Sequence, residues 1–377
     1  MKGENMNQNK SKKTNITKIK ASQIAAILGL LVFTTALSLS PVAGVMMQNY
    51  KQTNLVSDVP GMAKYTDHNL VNSWGITRGP TSPWWVADNG KGVSTVYNGT
   101  GVPFPLGNPL VVTIPALPGM TMSTPTGIVY NNGSGFMAKP GNVARFIFVT
   151  EDGTISAWNQ SVDPHKAILK VNNSKNSVYK GATIAIPIIG GKRYLYVANF
   201  KNGSVDVFNT SFKKVAMPKN SFKDSKIPTG YAPFNVQNIR SKVVVTFAKQ
   251  DANKHDEIDG PGLGYVDIFY PNGTLFMRLR HGSYMNAPWG VAQAPANFGK
   301  FSNHLLVGNF GDGRIMAFNE TGYFKGYLRN MTGSISIKGL WGLGFGNGAN
   351  AGPKNTLYFA AGINDEANGL FGMIRPS

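Results

Sequence analysis

A three-residue step, any residue followed by glycine and then an apolar residue, recurs along this chain at nearly even intervals. It appears at Trp74-Gly75-Ile76, Thr126-Gly127-Ile128, Lys180-Gly181-Ala182, Trp289-Gly290-Val291 and Trp341-Gly342-Leu343. Phe234-Asn235-Val236 stands where a sixth step would fall, so successive central residues are 52, 54, 54, 55 and 52 apart. After each step comes a short apolar strand, a polar turn and a second strand ending in an aromatic, as in residues 146–150 with 157–158 and 195–199 with 207–208. Glycine-rich turns such as Glu151-Asp152-Gly153 and Gly311-Asp312-Gly313 suit antiparallel pairs. Six units of this length, each too small to bury its own faces, stack into a ring. The sequence therefore predicts an all-β, six-bladed β-propeller over residues 50–374. The sixth unit has no room for a fourth strand, and residues 51–57, ahead of the first unit, are placed to supply it and close the ring.

Composition narrows the rest. The chain holds 44 Gly, 22 Pro and no Cys, which favours tight turns and excludes disulfides, thiolate metal sites and cysteine nucleophiles. Six lysines and one Glu precede an uncharged apolar stretch, and Val42-Ala43-Gly44 follows as a cleavage signal. Residues 1–44 thus read as a signal peptide or, left uncleaved, as an N-terminal membrane anchor. Either reading places the remainder outside the cell, secreted or on the extracellular face of the membrane. Nine Asn-x-Ser/Thr sequons downstream are compatible with such a surface.

Several longer phrases carry a resemblance. They include Gln52-Thr53-Asn54-Leu55-Val56-Ser57-Asp58, Asn69-Leu70-Val71-Asn72-Ser73-Trp74-Gly75-Ile76 and Phe146-Ile147-Phe148-Val149-Thr150-Glu151-Asp152-Gly153. Tyr231-Ala232-Pro233-Phe234-Asn235-Val236 and Leu306-Val307-Gly308-Asn309-Phe310-Gly311-Asp312-Gly313 extend it. Together they resemble an uncharacterised exported bacterial and archaeal β-propeller family, often grouped with proteins bearing PEP-type C-terminal sorting tags. The resemblance implies an NHL-like propeller with no established activity. This chain stops at Arg375-Pro376-Ser377 without such a tag, so surface attachment is expected through the N-terminal segment.

Polar residues just past the second strand of each blade are expected around one end of the central channel. Asp88, Glu151, Asn199, Asp251, Asn309 and Asp365 hold those places. Carboxylates and amides converging from several blades suit a hard cation taking about six to eight oxygen ligands, Ca2+ above all. A metal there would polarise a carbonyl or activate water, the chemistry of a lactonase-like hydrolase. The same residue types are also ordinary turn formers that bond nearby backbone. One insertion, residues 251–262, gathers Asp251, His255, Asp256, Glu257 and Asp259. It reads as a cation-binding loop near the channel mouth or as a hydrogen-bonded surface insertion. His68, His165, His281 and His304 form no ligand pattern, and no phosphate-cradling loop or nucleophile elbow appears.

Charge is unevenly spread. Between Lys166 and Lys254 lie 16 basic residues and three acids, Asp206, Asp224 and Asp251. The third and fourth units therefore give the ring a basic side, densest at Lys213, Lys214, Lys219, Lys223 and Lys226. Such a patch attracts polyanions. For an exported chain the expected partner is an anionic surface polymer or another surface protein. Nucleic acid is disfavoured, because the basic residues are not interleaved with stacking aromatics. The expected function is non-enzymatic binding, with a Ca2+-type hydrolase at the channel as the alternative.

Overall fold

A computed structural model describes residues 49–186 and 191–377, and the targeting segment expected over 1–44 lies outside them. Six blade sheets of antiparallel core strands are arranged as a β-propeller, with a small two-stranded sheet at Met137–Lys139 and Asn142–Val143, two 3-10 turns and no α-helix among the described residues. Blade 1 comprises Ser73–Thr77, Trp84–Asp88, Val93–Tyr97 and Val111–Thr113, from the channel outward. Blade 2 follows with Pro125–Tyr130, Phe146–Thr150, Thr154–Trp158 and Ile168–Asn172, and blade 3 with Tyr179–Ala185, Tyr194–Asn199, Ser204–Phe208 and Lys214–Val215. Blade 4 is Tyr231–Ile239, Lys242–Gln250, Tyr265–Phe269 and Leu275–Arg278. Blade 5 is Pro288–Gln293, Leu305–Asn309, Ile315–Phe318 and Phe324–Tyr327.

Blade 6 is assembled from both ends of the described chain. Leu340–Phe345, Leu357–Ile363 and Asn368–Pro376 take their outer neighbour from Tyr50–Ser57, which runs antiparallel from Tyr50 opposite Pro376 to Ser57 opposite Leu370. The closing strand expected at 51–57 is therefore present. Ser57 Oγ donates to the Gly369 carbonyl at 2.8 Å, and Tyr50 is buried with its hydroxyl donating to the Phe298 carbonyl of blade 5.

The recurring glycine marks where neighbouring innermost strands touch. A Cβ on Gly75 would strike the Thr126 carbonyl of the next blade, and one on Gly127 would lie 2.7 Å from the Ala182 nitrogen. A Cβ on Gly290 would strike the Trp341 carbonyl, and one on Gly342 would lie 2.6 Å from the Trp74 carbonyl oxygen, which closes the circle. In blade 4 the slot holds Asn235 instead. Its amide fills the space left by Gly181 and donates to the Trp289 carbonyl at 2.8 Å. The residues before each glycine fill one end of the channel. Trp74 stacks on Trp341 with ring centroids 3.6 Å apart, Trp289 meets both edge-on, and Phe234 packs beside them.

Candidate functional site

Lys180 occupies the place before the third glycine, so its side chain enters this aromatic end of the channel. It is only 1% exposed, with Nζ 5.0 Å from the Trp74 ring centroid. A buried ammonium needs compensating charge, and three carboxylates supply it. Nζ lies 2.6 Å from Glu151, 3.2 Å from Asp256 and 3.9 Å from Glu257. Burial would pull Lys180 down, but Glu151, Glu257 and Asp256 outweigh it and hold the ammonium above its ordinary range.

The elements explain how these groups meet. Glu151 follows the second strand of blade 2, and its other oxygen accepts from Asn89 of blade 1 at 2.8 Å. Asp256 and Glu257 arrive from blade 4, because the insertion folds back as a short hairpin that sets Glu257 opposite Gln250. Asn72 completes the ring with a left-handed backbone at φ 47°, binding Trp74 Nε1 through its oxygen and Glu366 through its amide. Glu366 is presented by three consecutive left-handed residues, Asn364, Asp365 and Glu366, at φ 56°, 50° and 65°. Such conformations are costly for side-chain-bearing residues and collect at functional sites.

The carboxylates are not alike. Burial pushes Glu257 up to about 7 and raises Glu366 as well. Asp256 is held well below the usual carboxylate range, first by its hydrogen bond to His255 at 2.8 Å, and by the same contact His255 is raised. Glu151, His255 and Asp256 each offer one ligand atom within 4.8 Å of the others, the one such grouping of acids and histidines among the described residues. The donor set nevertheless fits Ca2+ poorly. Both Glu151 oxygens are taken, by Lys180 and Asn89, and Asp256 Oδ1 serves Lys180 and His255 together. A dication would have to sit against an ammonium that already does the neutralising.

Of the six proposed metal ligands, only Glu151 reaches this cluster. Asp88 is fully buried within blade 1, where it accepts from the Thr95 amide and hydroxyl, and burial raises its carboxyl well above the ordinary range. Asn199 donates to Ser177 and Asp206 in blade 3, and Asn309 to the Tyr284 carbonyl and Asp312 in blade 5. Asp251 caps its own loop through the His255 and Asp256 amides, and Asp365 lies exposed at a hairpin tip. Four of the six thus tie a strand or loop to its own blade, which is the turn-forming use of these residue types. The insertion at 251–262 does reach the channel mouth. Glu257 stood among the acids of that insertion, but Lys180 and Asn72 were not singled out as site residues from sequence. Lys180 alone left a signal, as the one charged residue among the six that precede the central position.

The proposed anion-binding lysines lie elsewhere, on the outer edge between blades 3 and 4. Lys213 sits in the turn before Lys214–Val215, and Lys219, Lys223 and Lys226 lie on the segment crossing to blade 4. That segment is pinned where the Phe222 amide donates to the Gly273 carbonyl at 2.8 Å and where Asp224 pairs with Arg278. All five lysines are exposed. Lys214 is paired with Asp206 at 2.8 Å, whereas the other four have no carboxylate in ion-pair range among the described residues.

No family model matches the chain. Among solved structures, virginiamycin B lyase from Staphylococcus aureus is 14% identical with a TM-score of 0.47, covering 87% of this chain and 99% of that one. A structure titled a putative gluconolactonase is 16% identical with a TM-score of 0.40, covering 68% and 89%. Relatives in sequence are nearer. Uncharacterized protein L690 of Acanthamoeba polyphaga mimivirus is 33% identical over 341 residues, 86% of this chain and 85% of that protein. Uncharacterized protein R648 of the same virus is 31% identical over 335 residues, covering 86% and 80%. Shared identity at this level over most of both chains places the protein in the family of these uncharacterized mimivirus proteins.

Proposed function

We propose that this propeller is a non-enzymatic binding module that docks an anionic polymer along the outer edge of blades 3 and 4. One observation carries the reading: four exposed lysines, Lys213, Lys219, Lys223 and Lys226, lie on adjoining segments and lack carboxylate partners among the described residues. The nearby acids are engaged elsewhere, Asp206 by Lys214 and Asp224 by Arg278. Charge left uncompensated on a rigid edge raises the local concentration of polyanions and steers their approach. Export belongs to the same proposal and rests on the lysine-led apolar N-terminal stretch. An acidic cell-surface polysaccharide is then the polymer at hand.

The test is retention on immobilised polygalacturonate against neutral dextran. The intact protein should bind the first and not the second. The variant carrying Lys213→Gln, Lys219→Gln, Lys223→Gln and Lys226→Gln should lose retention while melting as the parent does. Equal retention on dextran, or an unweakened variant, would reject the proposal.

A metal-dependent, lactonase-like hydrolase is the second reading, favoured by the closeness of Glu151, His255 and Asp256. It is less well supported because Lys180 already occupies the centre of that carboxylate set.

A further inference from the structure

The two ends of the channel differ in charge. The innermost strands lead away from Lys180 past the glycine ring to a cleft of about 260 Å³, which Arg78, Tyr130, Asn132, Arg193, Gln237 and Asn238 line. Ile76, Ile128 and Ile184 form its apolar floor. A more open recess of about 600 Å³ shares Arg78, Tyr130 and Asn132 and adds Lys354. Among the described residues, neither wall contains Asp or Glu.

Both arginines are held in place without a counter-charge. Arg78 donates from Nε to the Phe345 carbonyl at 2.7 Å and from one Nη to the Gly346 carbonyl at 3.2 Å, which fixes its plane. Arg193 donates from Nη2 to Asn132 Oδ1 at 2.7 Å, while its Nη1 is buried with no hydrogen-bond partner among the described residues. Gly133 leaves room for that guanidinium, since a Cβ there would strike it. No carboxylate lies within ion-pair range of either arginine among the described residues. A partly desolvated guanidinium without a carboxylate partner is unfavourable until an oxyanion meets it, and its planar fork matches carboxylate and phosphate. Amide and hydroxyl groups beside it suit ligand hydroxyls, and an isoleucine floor suits the C–H face of a sugar ring. The cleft is also below the roughly 300–1,000 Å³ typical of drug-sized ligands, a scale fitting one sugar unit.

We propose that this end of the channel binds an acidic saccharide, its carboxylate or phosphate held by Arg78 and Arg193 and its hydroxyls by Asn132, Gln237 and Tyr130. The site is separate from the lysine edge and stands whether or not that edge binds a polymer.

Calorimetric titration of the full chain with glucuronate, glucose 6-phosphate, glucose and inorganic phosphate tests it. Both acidic sugars should bind at least about tenfold more tightly than glucose, which lacks the charge-assisted hydrogen bonds, and than inorganic phosphate, which lacks the hydroxyl and ring contacts. Arg78→Gln and Arg193→Gln should each weaken that binding by about tenfold or more, and Lys213→Gln with Lys219→Gln should leave it unchanged. Because Arg78 also braces blade 6, Arg193→Gln decides the matter if Arg78→Gln does not fold. Absence of acidic-sugar binding would overturn the proposal, as would equal binding of glucose or free phosphate. So would full-strength binding by Arg193→Gln, or an equal loss in the lysine pair.

Discussion

At the scale of single residues, the channel mouth depends on Lys180. Replacing it by Met leaves Glu151 and Glu257, 11% and 6% exposed, facing one another without a cation. Removing one partner of a buried ion cluster costs about 3–5 kcal/mol, so Lys180→Met should lower unfolding stability in urea by that order, and Glu151→Gln added to it should recover part of the loss. Two buried carboxyls, one at this mouth and one within blade 4, set a pH dependence. Glu257, raised to about 7, and Asp267, raised by burial and Asp224 to about 8, are groups whose folded values lie above their unfolded ones. Such groups contribute stability that is full below the unfolded pKa and is lost as pH rises through the folded one. Asp224 and Asp256, held low, lose their contribution only in stronger acid. Melting temperature should therefore fall as pH rises from about 5 to 8, and Asp267→Asn should flatten that fall. A wild-type melting temperature that climbs over this window would contradict the assignment. Little of this was legible in sequence. Lys180 is marked in sequence only as the one charged residue before a repeat's central position, and what makes it special is three carboxylates brought from two other blades.

At the scale of elements, the repeat was legible because close backbone contact leaves a residue-level mark. Only glycine fits where Gly75, Gly127, Gly290 and Gly342 meet the next strand's backbone, and that need recurs once per blade. Gly127→Ala would press a Cβ to within about 3 Å of Gly181 and Ala182 backbone atoms. It should cost about 1–3 kcal/mol, as overpacking does, measured as a shifted denaturant midpoint with the slope unchanged. Asn235 shows why the fourth step breaks the pattern, since its amide replaces missing contact with a hydrogen bond to Trp289. The polar strand ends were harder to read. Asp88, Asn199 and Asn309 end their second strands, as Thr150 does in blade 2, and each turns back into its own blade, whereas Glu151 lies one residue further on. Strand periodicity gives position along the blade but not which of two local partners a short polar side chain selects. The insertion at 251–262 reached the mouth through a two-residue pairing, Lys249 with Ile258 and Gln250 with Glu257, too short to leave a periodic signal.

At the scale of the whole molecule, the ring is closed by chain ends more than 300 residues apart. Thr53 faces Met373 across that closing pair, and antiparallel partners lie within disulfide reach. In a protein without cysteine, Thr53→Cys with Met373→Cys should form one bond and raise unfolding stability by about 2–4 kcal/mol over the reduced form. No gain would argue against the end-to-end pairing. The closed ring also fixes where charge is shown: a lysine edge outside blades 3 and 4, and a carboxylate-ringed lysine at one end of the channel. A lysine edge of this kind should bind polyanions. The most direct test of that binding is the dissociation constant for polygalacturonate measured across a salt series, for the parent and for the variant with Lys213, Lys219, Lys223 and Lys226 all changed to Gln. Binding through these charges should weaken steeply with salt, as screening and counterion release require, and the variant should show both weaker binding and a shallower slope. A parent whose affinity ignores salt, or a variant with the parent's slope, would contradict the account.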